Sequence, residues 1–216
     1  MNLPFSIKQF LDVFGIYNQA VWPMQIVLYL FAVVAIVLTF KKFKNSDKIV
    51  SIILAFFWLW IGIVYHLIYF TAINKAAYFF GILFIVQGLI FLYAGGMKSK
   101  LSFKYHADLY GIFGSVFILY ALIIYPILGH QLGHVYPRTP TFGLPCPTTI
   151  FTFGLLLWTN KRIPKYVIII PLLWSIIGFG AAVGLTIYQD YGLLIAGALG
   201  TILINIRDKS KASHIS

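Results

Sequence analysis

Glutamate is missing from this 216-residue sequence, and the whole acidic complement is five aspartates. A soluble domain carries about a quarter charged residues. Here 10% are charged and 61% are hydrophobic, with a mean hydropathy of +0.91. So little polar surface cannot cover a water-soluble body, which leaves the bilayer as the solvent. A single cysteine excludes an intramolecular disulfide and gives no reading of redox compartment. No Asp, Glu, Lys or Arg falls in the middle of a hydrophobic run, which argues against carboxylate proton relays and voltage sensors. No small-residue cleavage site precedes the first run, so the N-terminus is expected to be retained. Phe10, Leu11, Phe14 and Tyr17 fall at helical spacing, and residues 1–19 read as an amphipathic segment in the outer interface.

What is present is a series of apolar runs near 21–40, 49–72, 77–96, 109–128, 147–159, 166–187 and 191–206. A bilayer core takes about 20 residues of helix. The expected fold is therefore an all-α, polytopic transmembrane bundle of about seven spans in one domain, with the fifth and seventh short. With the N-terminus outside, segments 41–48, 98–108, 160–165 and the tail 207–216 lie inside and hold thirteen Lys and Arg against three outside. That asymmetry fixes an N-out, C-in orientation. It also accounts for the net charge of +11 without invoking nucleic acid, the lipid bilayer being the partner.

The segments KIVSIILAFFWLWIG (48–62) and KYVIIIPLLWSIIG (165–178) align on Trp58 with Gly62 and Trp174 with Gly178. The preceding spans open with Pro23 and Pro147. These matches point to a 3+1+3 arrangement of parallel repeats around an inverting fourth helix. Gly180 with Gly184, and Ala196 with Gly200, mark close packing of the last two helices.

Polar residues inside spans are few. His66 falls about 6 residues, or roughly 9 Å, from the outer end of its helix. Gln87 and Asn205 suit interhelical hydrogen bonds. The most elaborate segment is GHQLGHVYPRTPTFGLPCPTTIF (129–151), with four prolines, His130 and His134 at i,i+4, and the single Cys146. Pro126 should kink the fourth helix. Helix resumes at about Pro147, leaving roughly 12 residues, or 18 Å, to Trp158. Irregular backbone should therefore dip into the membrane and line a wet cavity. His66, Gln87, His130, His134, Cys146, Thr148 and Thr149 are the expected cavity residues. His66, His130, His134 and Cys146 are the expected ligands if a transition metal such as zinc is held. The alternative is a rigid, proline-braced plug.

NLPFSIKQFLDVF, WLWIGIVYH, INKAAYFFG and above all YPRTPTFGLPCPTTIFTFGLLL resemble a bacterial family of small multi-spanning membrane proteins of unknown function, sometimes labelled permeases. The resemblance covers almost the whole chain. It implies a bacterial cytoplasmic (inner) membrane location and supplies no chemistry. Three functions fit: a small-solute or ion permease with an outer cavity, a membrane metal-binding protein or metalloenzyme using His66, His130 and His134, and a non-catalytic membrane subunit. His66, His130 and His134 are similar in kind to the zinc histidines of seven-span alkaline-ceramidase-like hydrolases, but the pair here follows the fourth span instead of lying in the last. Transport ranks first, on the broken helix and the repeat.

Overall fold

The computed structural model describes residues 4–213, with side chains to Lys211. The expectations for residues 1–3 and 214–216, the ends of the interfacial segment and of the tail, lie outside the described residues. The described chain is helical throughout: α1 (Ile7–Ala20), α2 (Met24–Phe40), α3 (Ser46–Ala72), α4 (Ala77–Met97), α5 (Leu109–Gln131), α6 (Pro145–Leu157), α7 (Tyr166–Leu185) and α8 (Tyr191–Ser213).

Local chemistry explains the helix starts. Ser6 caps α1 in a reciprocal capping box with Gln9. The Asp108 carboxylate accepts from Gly111 N at 2.8 Å at the head of α5. α6 opens on Pro145, where a missing N–H costs nothing. The outer faces of the long helices are apolar stripes. On α5 they run Leu109, Ile112, Val116, Leu119, Ile123 and Ile127, all exposed. Such a surface is untenable in water and suited to lipid.

Five helices (α3, α4, α5, α7 and α8 with its preceding turn) are long and apolar enough to cross a membrane, and the pair α1–α2, bent by 84°, would make a sixth. The sequence expectation was about seven. The difference lies in α6, whose 13 residues reach only about 20 Å of a core roughly 30 Å thick. α6 is instead the axis of the bundle: except for Cys146, its residues are all buried. α5 meets it where Gly114 faces Gly154, and a Cβ added to either would stand 2.8–2.9 Å from the other's carbonyl oxygen. Trp58 of α3 donates to Thr152 Oγ1 at 3.1 Å and stacks on Phe84 of α4 at 4.5 Å, joining three helices.

The four basic segments meet at one end. Asn160 N donates to Ser102 O at 2.7 Å, Phe103 N to Asp47 Oδ1 at 2.7 Å, and Ile163 N to Asp208 Oδ2 at 2.7 Å. Residues 207–211 continue α8 and tuck beneath α6. There the buried Arg207 guanidinium donates to Leu156 O and Leu157 O at 3.1 and 3.0 Å.

Two packing expectations are corrected. Gly180 meets nothing within 4 Å and Gly184 is exposed, so the α7–α8 contact is made by Gly178 against Leu193 and Gly197 against Ser175. Asn205 is exposed and makes no interhelical bond in the structure, because its side of α8 points outward.

Candidate functional site

At the end remote from the basic loops, α3, α5, α6 and α7 part around a cavity of about 190 Å³. Two of its walls come from wide helical turns. Phe70 N bonds back to Tyr65 O and Tyr125 N to Tyr120 O, five residues apart, over the π-helical stretches Ile61–Tyr69 and Tyr120–Ile124. Such turns interrupt α-helical register and recur at functional sites. Here they bring Tyr65 and Tyr125 to the cavity, and the second absorbs Pro126.

The third wall is the start of α6. The irregular run before it is held by one residue of α1, the buried Asn18. Its Nδ2 donates to Pro137 O at 2.7 Å and Thr139 O at 2.8 Å, and its Oδ1 accepts from Thr141 Oγ1 at 2.9 Å. Gly143, at φ +95°, turns the chain inward, and a Cβ there would stand 2.3 Å from Leu28 Cδ1. Pro145, Cys146 and Pro147 then face the cavity.

The chemistry centres on Asp190, in the turn Tyr188–Asp190 that precedes α8. Its side chain is buried. Tyr125 OH donates to Asp190 Oδ1, and Cys146 lines the same cavity. Trp174 of α7 lines the cavity beside Cys146, and its buried Nε1–H has no hydrogen-bond partner. Most of the remaining wall is aromatic, with Phe14 stacked on Tyr65 at 6.0 Å and Tyr65 on Phe70 at 5.5 Å.

The expected site residues are distributed as follows. Cys146 lines the cavity. His66 sits behind it, fully buried, its ring 5.3 Å from Trp174 and 4.8 Å from Phe84, both ring nitrogens without a partner. Gln87 is farther along the bundle, where Nε2 donates to Val167 O at 3.0 Å and links α4 to α7. Thr148 and Thr149 do not line the cavity. Their hydroxyls serve the chain itself, Thr148 Oγ1 accepting from Gly143 N at 3.2 Å and Thr149 Oγ1 donating to Pro145 O at 2.8 Å.

His130 is exposed on the last turn of α5, which ends at Gln131, while His134 lies past Gly133 (φ +86°) and exchanges a 3.0 Å hydrogen bond with Gln189 Nε2. The helix stops between the two, so i,i+4 spacing does not give them a shared face. Burial holds the His134 pKa below its ordinary value, against the opposing pull of the Gln189 bond. His66, His130, His134 and Cys146 are thus not brought together, and among the described residues no group of three or more His, Cys, Asp or Glu is placed to hold a metal ion.

Asp190 and its phenol partner escape a reading by hydropathy, because Asp190 sits in what counts as a short loop. One signal was available. It is the only aspartate with no Lys or Arg within ten residues in the sequence. An acid with no local counter-charge is the one to suspect of being buried.

The stripes of exposed aliphatic side chains, the long apolar helices and the half-length axial helix define a polytopic helical membrane protein. Residues 7–214 match the family described as "Family of unknown function (DUF6064)", and the chain belongs to it. No curated protein and no solved structure matches.

Proposed function

We propose that this integral membrane protein is a permease for a small solute or ion, with the Asp190 cavity as its binding site. In this reading it lies in a bacterial cytoplasmic membrane with the cavity on the outer side, α1 in the outer interface and the basic loops in the cytoplasm. The observation that carries the proposal is the broken helix. Irregular backbone from 132 to 144 ends at α6, a helix of 13 residues, and the first turn of α6 forms a wall of the cavity. Transporters build sites near mid-membrane from such discontinuous helices, where non-helical backbone is sheltered from lipid. The grouping of the basic segments at the opposite end agrees with an outer position for the cavity. The proposed 3+1+3 repeat would give the two halves that rock about such a site.

Because Cys146 is the single cysteine, the native chain is its own probe. In sealed right-side-out vesicles, a small neutral membrane-impermeant thiol reagent is expected to label Cys146 without denaturation. Proteoliposomes should then show solute flux that this labelling blocks. Labelling only after denaturation would make the segment a plug and end the reading.

A further inference from the structure

We propose that the cavity takes a small organic cation, a quaternary or protonated amine, with Asp190 as its counter-charge. This rests on the reading of the cavity as a binding site and goes on to name the class of ligand.

Asp190 is 5% exposed, and among the described residues that line the cavity none is Lys, Arg or His. The lysines and arginine at this end are not part of the lining: Arg138 and Lys8 both pair with Asp12, at 2.8 and 2.9 Å, and Lys75 is exposed, while His134 bonds Gln189 and His66 is buried behind the cavity. A carboxylate in an apolar site without a positive partner is costly. The hydrogen bond from Tyr125 stabilises its charge but does not neutralise it. A mobile cation supplies what the chain lacks.

The walls select the kind of cation. A bare metal ion needs several oxygen, nitrogen or sulfur ligands, and among the described residues no group of three or more His, Cys, Asp or Glu is placed to supply them. The cavity instead offers the rings of Phe14, Tyr65, Phe70, Phe80 and Trp174. Aromatic faces carry negative potential and hold alkylammonium groups, which shed water more readily than metal ions do. The unpartnered Trp174 Nε1–H adds a donor for a hydroxyl or carbonyl carried by the same ligand. A volume of about 190 Å³ limits that ligand to a few heavy atoms beyond the ammonium head.

The test compares choline with its uncharged isostere 3,3-dimethyl-1-butanol, by calorimetric titration of the full chain in lipid nanodiscs. Choline is expected to bind saturably and at least about tenfold more tightly than the alcohol. It should also protect Cys146 from a neutral thiol reagent. Asp190→Asn keeps an acceptor for Tyr125 and should erase the preference. Tyr125→Phe keeps the charge and should retain it, which separates loss of the counter-charge from misfolding. Equal binding of choline and the alcohol would overturn the cation assignment while leaving a solute cavity, with Asp190 then neutralised by a proton. Absence of binding by both, together with a Cys146 that resists labelling, would overturn the cavity reading and this inference with it. Choline binding without flux in proteoliposomes would support the cation site and count against transport alone.

Discussion

Replacing His66 with phenylalanine is expected to leave the fold intact and to raise its thermal stability. Both ring nitrogens of His66 are buried without partners, and an orphaned buried polar group costs about 1–3 kcal/mol. The ring is enclosed by Phe80, Phe84 and Trp174, so a phenyl ring finds ready edge and face contacts. The extra ring atom costs part of that gain, for a net of about 1 kcal/mol. Unfolding in detergent, followed with zinc content by mass spectrometry, checks it. A lower melting temperature together with loss of a stoichiometric zinc would restore His66 as a ligand. At this scale the sequence picked out Cys146 but not Asp190. Cysteine in a proline-rich loop stands out by type, whereas the place of Asp190 depends on α5 and α6 closing over it. Thr148 and Thr149 do not line the cavity, and their hydroxyls bond local chain groups.

The elements were legible in the sequence wherever hydrophobicity is continuous, and the starts of α3, α4, α5 and α7 agree with the apolar runs. α6 was legible as short, because Pro145 and Pro147 forbid an earlier start and Trp158 marks its end. What could not be read was its central position, which depends on how the other helices surround it. The cost of that position falls at its C-terminus, where a buried helix end exposes carbonyls to an apolar interior. Arg207 answers it, bonding Leu156 O and Leu157 O while pairing with Asp208 at 2.9 Å and lying 6.0 Å from the Tyr110 ring. Cations favour this end of a helix dipole. Arg207→Met should therefore destabilise the protein by about 3–5 kcal/mol, because it strands both the carbonyls and a buried carboxylate. The double variant Arg207→Met/Asp208→Asn should recover part of the loss. Thermal unfolding of the three proteins measures the coupling. If the single variant is neutral, Arg207 is not holding the end of α6.

For the whole molecule, the number of spans matters less than which loops share a side. α6 is half a span, so counting apolar runs gives about seven where the structure gives five long helices and a bent pair. Connectivity across the basic end does not depend on that count. Lys161 Nζ donates to Ser99 O at 2.8 Å, Lys104 N to Trp158 O at 2.7 Å, and Lys42 Nζ to Ser102 Oγ at 2.7 Å. Loops 41–48, 98–108 and 160–165 must therefore lie on one side of the membrane, which is the cytoplasmic side in the proposed orientation. Reporter insertions within each of the three are expected to give the same cytoplasmic signal. An insertion at 132–136, beyond the far end of α5, should give the opposite one. A periplasmic signal from 160–165 alone would place α6 and the loop after it on the wrong side, and would break the bonds that join Asn160 and Lys161 to the 98–108 loop. A cytoplasmic signal from 132–136 would put the Asp190 cavity on the inner face, leaving its chemistry intact but reversing the side from which a cation enters.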